Sequence, residues 1–278
     1  MNEAVTVDKM GSAGQVTGSI RASVRLAWDL AVRDLRTRYA RSLLGTLWFV
    51  LNPLLLVGVY WTVFGYILHL SWVDPTQAKP VGYIVPFIPA LLVYLTLSDV
   101  INSSVSLYQN KRNYVLKSPF PIWVLWLANL IRSGAQALGL FTTMIVIAAV
   151  SGTLTFTGVL WLLPALALSI AFCAALSLLL AALGPFIPDL TDAFRLLLRV
   201  LFYAAPVTYP LSIVPEKLRL IIELNPLTEL LTPVRNAVAF GIGPEPVPFI
   251  ATVGATLALG GVAYWAHSRL KGAIADVL

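Results

Sequence analysis

Asp99 is the one carboxylate in the interior of a predicted span, and it has Ser98, Asn102, Ser103 and Ser106 for company. An ionisable side chain at membrane depth is costly and therefore a functional candidate by default. Its hydroxyl and amide neighbours can equally satisfy it as a structural polar cluster, so both readings stand. Asp189 and Asp192 are three residues apart, a spacing suited to acid–base or metal work, although a turn with Asp189 capping the next helix explains them as well. The histidines, His69 and His267, lie at the ends of apolar segments, and Cys173 is the single cysteine. Neither type is spaced as a ligand set, and no metal site is expected. The sequence contains no GxxxxGK[ST] phosphate loop, no HExxH and no GxSxG. The chemistry on offer is therefore hydrogen bonding, charge and ring stacking.

Aromatic residues supply the rings. Trp48, Asn52, Thr62 and Tyr66 share one face of a first apolar segment, and Tyr83, Phe87 and Tyr94 share one face of a second. Phe202, Tyr203 and Tyr209 belong to a later one. Interfacial belts account for many membrane tryptophans and tyrosines. The alternative is a pore lining, because sugar rings stack on aromatic faces through their C–H surfaces while hydroxyls take polar partners.

The elements that must position these residues follow from composition. Hydrophobic residues make up 58% and charged residues 12% of the 278-residue chain, against about 45–50% and about a quarter in soluble proteins. Mean hydropathy is +0.83. A bilayer is part of this protein's solvent, and the same numbers exclude disorder, coiled coil and collagen. Residues 43–70 contain no charged side chain over 28 residues, about 42 Å of helix and enough to cross a core of roughly 30 Å with tilt. Residues 133–188 are uncharged for 56 residues, which is two spans with Ser151-Gly152-Thr153 as the turn. The prediction is six transmembrane helices, at about 43–70, 83–108, 122–150, 159–187, 191–209 and 247–266. The first 42 residues lack an apolar h-region, so no cleavable signal peptide is expected. Residues 1–20 read as a flexible cytoplasmic tail and 21–278 as one transmembrane domain. With this topology 14 basic residues fall on the side of the termini and 4 on the other, which puts both termini in the cytoplasm. The net charge of +6 is accounted for by that bias, and no nucleic-acid partner is expected.

Three regions lie outside the simple spans. Residues 21–41 form an amphipathic helix with Val24, Trp28, Ala31, Leu35 and Tyr39 at helical spacing and arginines opposite. It is either a membrane-surface anchor or a place where Arg33, Arg36, Arg38 and Arg41 attract an anionic lipid head group. Residues 109–120, QNKRNYVLKSPF, form a basic cytoplasmic connection. It is either an ordinary loop or a docking helix for a soluble partner, pressed into a groove by Tyr114 and Leu116. Residues 211–245 hold two further helical patterns too short and too charged to span. The first starts at Pro215 and carries Ile221; Asn225-Pro226 breaks it and caps the second. They suggest a re-entrant or interfacial hairpin on the outer side, a gate or a plain lid.

The stretch RDLRTRYARSLLGTLWFVLNPLLLVGVYWTVFG, residues 33–65, resembles the opening of polysaccharide and polyol-phosphate ABC exporter permeases of the O-antigen or teichoic acid type. NKRNYVLKSPFP at 110–121, PVTYPLSIVP at 206–215 and LNPLTELLTPVR at 224–235 continue the likeness in order. It covers nearly the whole chain from about Arg25. The resemblance implies an all-α integral membrane half-transporter of the bacterial inner membrane, itself no enzyme. Two copies would pair, each with a separate subunit that binds ATP and magnesium; no cofactor is expected in this chain. The substrate implied is a lipid-linked glycan. By position, residues 25–41 match the family's interface helix and 109–120 its coupling helix, which brings in Asn110, Lys111 and Arg112. The segment from Pro215, including Ile221, Asn225, Pro226 and Arg235, matches its gate helices. Ile187-Pro188 departs from relatives that often carry a basic residue there. A drug or lipid permease is the nearest rival, and a membrane glycosyl- or phosphotransferase a more distant one; the latter needs a convergent carboxylate or histidine set that the sequence lacks.

Overall fold

A computed structural model describes residues 20–39, 45, 48–117 and 120–278, without the side chains at 38, 39, 49 and 50. The expected tail lies outside the described residues except for Ile20, as do Arg41, Ser118 and Pro119.

Helix α1, Ile20–Tyr39, precedes α2, Trp48–Tyr60, which continues as a π-helical stretch, Trp61–Ile67. A two-stranded antiparallel ribbon follows, β1 Trp72–Val73 with β2 Pro80–Val81, Trp72 opposite Val81. Next come α3, Ile84–Val105, and the short helices α4, Leu107–Asn110, and α5, Arg112–Lys117. Two long helices, α6 Trp123–Val150 and α7 Phe156–Leu183, lead to α8, Leu190–Ala204. The chain ends with α9, Glu216–Glu223, α10, Pro226–Phe240, α11, Pro246–Leu270, and α12, Ile274–Val277.

Among the described residues, α3, α6, α7 and α11 are long and apolar enough to cross a membrane; Leu51–Ile67 is apolar but shorter. At 15 residues, α8 is about 22 Å long. Gly152, at φ 68°, turns the chain between α6 and α7. The Thr155 side chain then caps α7 by accepting from the Gly158 backbone N–H at 3.0 Å. Asn225 caps α10 in the same way through Leu227 N–H.

Two cores hold the bundle together. The larger is built on α3, where Phe87, Leu91 and Ile101 are buried against Leu227, Leu230, Leu231 and Val234 of α10 and Leu162 and Leu168 of α7. Gly158 lies so close to α10 that a Cβ there would meet the Ala237 carbonyl oxygen. The smaller core joins α1 to α6: Ala27, Leu30 and Ala31 pack with Leu107, Tyr108, Val124, Leu125 and Ala128. Ala31 belongs to the predicted apolar stripe, whereas Val24 and Trp28 of the same stripe point away from α6, Trp28 58% exposed, the side left for a membrane surface.

Candidate functional site

A cavity of about 590 Å³ opens between α2, α3 and α6. Trp48, Asn52 and Leu56 share one side of α2; Leu95, Ser98, Asp99 and Asn102 share one side of α3; Ser133, Gln136 and Leu140 share one side of α6. The i, i+3, i+4 and i+7 spacing of a helix face brings these residues together. Behind the wall, Arg132 Nη2 donates to Asp99 Oδ2 at 3.0 Å and to Ser133 Oγ at 2.8 Å. Ser133 Oγ donates to the same carboxylate oxygen at 2.8 Å. The Asp99 and Arg132 side chains are only 18% and 10% exposed. The network continues inward. Arg132 donates to Asn129 Oδ1, Asn129 donates to Ser103 and Ser104 at 3.1 and 3.2 Å, and Ser104 meets Ser177 of α7 at 2.7 Å. Asp99 is therefore held as one half of an ion pair tied across three helices. Arg132 was missed as its partner, though one signal was present. It is the single basic residue that the span arrangement assigns to neither membrane face.

A smaller cleft of about 160 Å³ lies on the other side of this network, lined by Asn129 and Arg132 and by Leu30, Asp34, Lys111 and Tyr114. It marks the joint between α1 and the α4–α5 connection. Lys111 Nζ donates to both Asp34 oxygens, at 2.9 and 2.6 Å. Arg33 donates to Tyr114 Oη at 2.7 Å, and its guanidinium stands 5.5 Å from the Tyr114 ring centre. Asn110 donates to Ser106 Oγ at 2.9 Å. Arg112 and Leu116 face outward from α5, Leu116 at 45% exposure. Arg36 is exposed on α1. Arg41 and the Arg38 side chain lie outside the described residues.

The predicted aromatic lining divides. Trp48 and Asn52 face the cavity. Tyr83 and Phe87 are buried instead, 4% and 0% exposed, in a cluster with Tyr60 and Phe64. Helical spacing marks a core stripe and a pore stripe alike, and here packing takes these two rings. The Tyr83 hydroxyl donates to Thr208 O at 2.9 Å. Tyr94 leans on Phe202 at 4.8 Å and donates to Leu198 O. Tyr66 and Tyr203 are exposed, and Tyr209 donates to the Tyr203 carbonyl at 2.8 Å.

Of the hairpin residues, Pro215 and Ile221 are exposed on α9 and its approach, and Pro226 opens α10. Asn225 also donates to Ala204 O at 3.2 Å, joining the α9–α10 turn to the end of α8. Arg235 is buried at 4% exposure. It donates to Pro86 O at 3.1 Å and to Pro206 O, and its guanidinium stands 4.3 Å from the Trp72 ring centre. One side chain thus pins α10, the start of α3, the β1–β2 ribbon and the turn after α8. In the ribbon, Asp74 accepts from the Thr76 hydroxyl at 2.6 Å and from the Thr76 and Gln77 N–H groups. These bonds favour the ionised carboxylate and hold its pKa below the ordinary value. Asp189 stands at the N-cap of α8, but its side chain makes no cap bond, and Asp192 pairs with Arg195 at 3.0 Å. No metal-holding group of three or more His, Cys, Asp or Glu occurs among the described residues.

A multi-pass helical membrane protein with an ion-paired polar cavity among its apolar helices has the construction of a transport domain. The chain belongs to the ABC-2 type transporter family, which matches residues 25–238. It is 26% identical over 248 residues to the O-antigen export system permease protein RfbA of Klebsiella pneumoniae, covering 88% of this chain and 92% of that one. The Myxococcus xanthus protein of the same name is 27% identical over 244 residues, 87% and 89% of the two chains. The polysialic acid transport protein KpsM of Escherichia coli is 23% identical over 219 residues, 78% and 83%.

Proposed function

We propose that the chain is the channel-forming subunit of an ATP-driven exporter that moves a lipid-linked polysaccharide across the bacterial inner membrane. The observation that carries this reading is the cavity between α2, α3 and α6. Its wall offers a carboxylate, amides, hydroxyls and an indole at membrane depth, groups suited to a polyhydroxylated cargo and idle in a plain scaffold. The likeness to O-antigen and polysialic acid transporters points to the same cargo class. In this reading α2 with its π-helical extension and α8 complete six spans, with both termini in the cytoplasm. Two copies pair, and each takes one copy of a separate subunit that binds ATP and magnesium. The joint of Asp34 with Lys111 and Arg33 with Tyr114 supports α5 as the lever on which that subunit pushes. Arg33 and Arg36 receive the anionic lipid head group, together with Arg38 and Arg41. The α9–α10 pair gates the outer side.

Tagged chain captured from native membranes in mild detergent tests the reading. The expected result is one-to-one recovery of a soluble subunit that carries a phosphate loop and hydrolyses ATP. Recovery without such a subunit, under conditions that preserve a known ABC complex, refutes it.

A further inference from the structure

A further cavity, of about 510 Å³, lies between α9, α10 and the start of α11, with Phe172 of α7 behind it. Three carboxylates line it: Glu223 at the end of α9, Glu229 in the first turn of α10 and Glu245 just before α11. No ion pair among the described residues includes any of the three, and they do not form a metal-holding group. Burial, and then the like charges of Glu245 and Glu223, raise the pKa of Glu229, which lies outside the six spans.

Two hydroxyls ask for the same kind of ligand. Thr228, 2% exposed, and Thr232, one turn further along α10, both line the cavity. Neither hydroxyl oxygen has a hydrogen-bond partner among the described residues, and a buried hydroxyl left unpaired is costly. A primary ammonium answers both needs, with one positive charge and three N–H donors. The basic side chains of this region are on α9. Lys217 is exposed, and Arg219 donates to Leu211 O at 3.3 Å, at the cavity edge, with its Nε buried and unpartnered. Arg219 precedes Glu223 by one turn, about 6 Å along the helix axis, so the region offers a cationic and an anionic end to one zwitterion. Leu220 and Leu224 of the lining are exposed, as are Val247 and Ile250 at the start of α11. An exposed apolar rim around a charged cavity fits the head-group layer of a membrane.

We propose that this cavity binds a phospholipid head group that carries a primary ammonium, as in phosphatidylethanolamine, with Glu223, Glu229 and Glu245 around the ammonium. Thr228 and Thr232 accept its N–H groups, Arg219 meets the phosphate, and the acyl chains run along the apolar rim. The site ties the α9–α10 hairpin and α11 to one lipid and is separate from the cavity between α2, α3 and α6. A unit charge about 6 Å from a carboxylate, at an effective dielectric constant near 40, changes affinity about tenfold.

The test uses the full-length chain in detergent, with any subunit that co-purifies. It is titrated with short-chain phosphatidylethanolamine, phosphatidylglycerol and phosphatidylcholine while native mass spectrometry counts bound lipids. Phosphatidylethanolamine is expected to bind one site per chain about tenfold more tightly than phosphatidylglycerol, which lacks the ammonium. Phosphatidylcholine, whose ammonium carries no N–H, is expected to bind at least about threefold more weakly. Glu223→Gln combined with Glu245→Gln changes two exposed side chains, and Glu229→Gln keeps the volume of the half-buried one. Each variant, confirmed monodisperse by size exclusion, is expected to bring phosphatidylglycerol within about threefold of phosphatidylethanolamine. Equal binding of phosphatidylethanolamine and either control lipid to the wild-type chain overturns the proposal, as does an unchanged ratio in both variants. Displacement of the lipid by an equal concentration of hexaglucosamine also overturns it, because the ammonium is then a sugar's. Each of these results is independent of ATPase capture, which tests the export reading by itself.

Discussion

Replacing Asp99 with Leu leaves Arg132 charged among helices with its anionic partner gone. Removing one member of a fully buried pair costs about 3–5 kcal/mol, mainly because the other charge is left uncompensated. Here the pair is 18% and 10% exposed, and Arg132 keeps Ser133 and Asn129 as partners. The expected loss is therefore about 2–3 kcal/mol, a fall in the unfolding midpoint of roughly 5–10 °C for a chain of this size. An ordinary hydrogen bond between membrane helices contributes only about 0.6 kcal/mol on average, so the two cases are separable. The second arm of the cycle is Arg132→Met, and the third is Asp99→Leu with Arg132→Met. An apolar pair of similar volume replaces a buried ion pair at little or no cost. The double variant should therefore regain most of the stability that either single variant loses. Thermal unfolding in detergent, followed by loss of the monodisperse size-exclusion peak, measures all three. Because the double variant also strips the cavity wall of its carboxylate, it should fold well and export poorly. Additive losses in the double variant would refute the reasoning, since they would mean that each side chain acts through neighbours other than its ion partner.

Three further outcomes follow from the geometry. Lys111→Ala breaks a pair whose side chains are a quarter exposed; stability should fall by less than about 1 kcal/mol, whereas ATP-driven transport by the reconstituted complex should fall several-fold as α5 loses its hold on α1. Gly158→Val places side-chain atoms against the Ala237 carbonyl oxygen at the α7–α10 crossing; a shift of that crossing should cost about 2–3 kcal/mol, read as a lowered unfolding midpoint, while Gly254→Ala, with open space at its Cβ, should be silent. The Asp74 turn should be fully formed above the ordinary aspartate range and loosen as pH falls through the lowered pKa of that carboxylate, because the ionised carboxylate accepts its three bonds more strongly than the neutral acid. Amide exchange at Thr76 and Gln77 reports it, and Asp74→Asn should remove the pH dependence, leaving the turn about as loose as the wild type is at low pH.

Composition made the helical membrane class legible, because so few charges cannot cover a soluble surface. The long apolar helices follow from it, and the break inside the uncharged stretch 133–188 coincides with Gly152 at φ 68°. What hydrophobicity could not rank was which side of each helix faces protein. On α1, Ala31 of the predicted stripe packs against α6 together with Ala27 and Leu30, while Trp28 of the same stripe stays exposed. At the start of α3, Tyr83 and Phe87 have the spacing of a lining stripe, and the same spacing brings them into an aromatic cluster with Tyr60 and Phe64.

The site was legible only by half for a related reason. Asp99 stands out as a carboxylate in an apolar segment, but its partner lies 33 residues away, across a turn whose path no local periodicity specifies. Arg132 sits near the start of a long helix, where the usual expectation is a side chain reaching for the membrane surface. The structure shows the opposite orientation, with Asn129, Ser133 and Asp99 satisfying the guanidinium inside the bundle. In a chain this apolar, each charge kept at depth must find partners within the protein, because lipid supplies none. The exceptions to hydrophobicity therefore have to be solved jointly, as pairs across helices, and the Asp99–Arg132 pair connects the cavity wall to the joint between α1 and the α4–α5 connection, which no single helix pattern links to it.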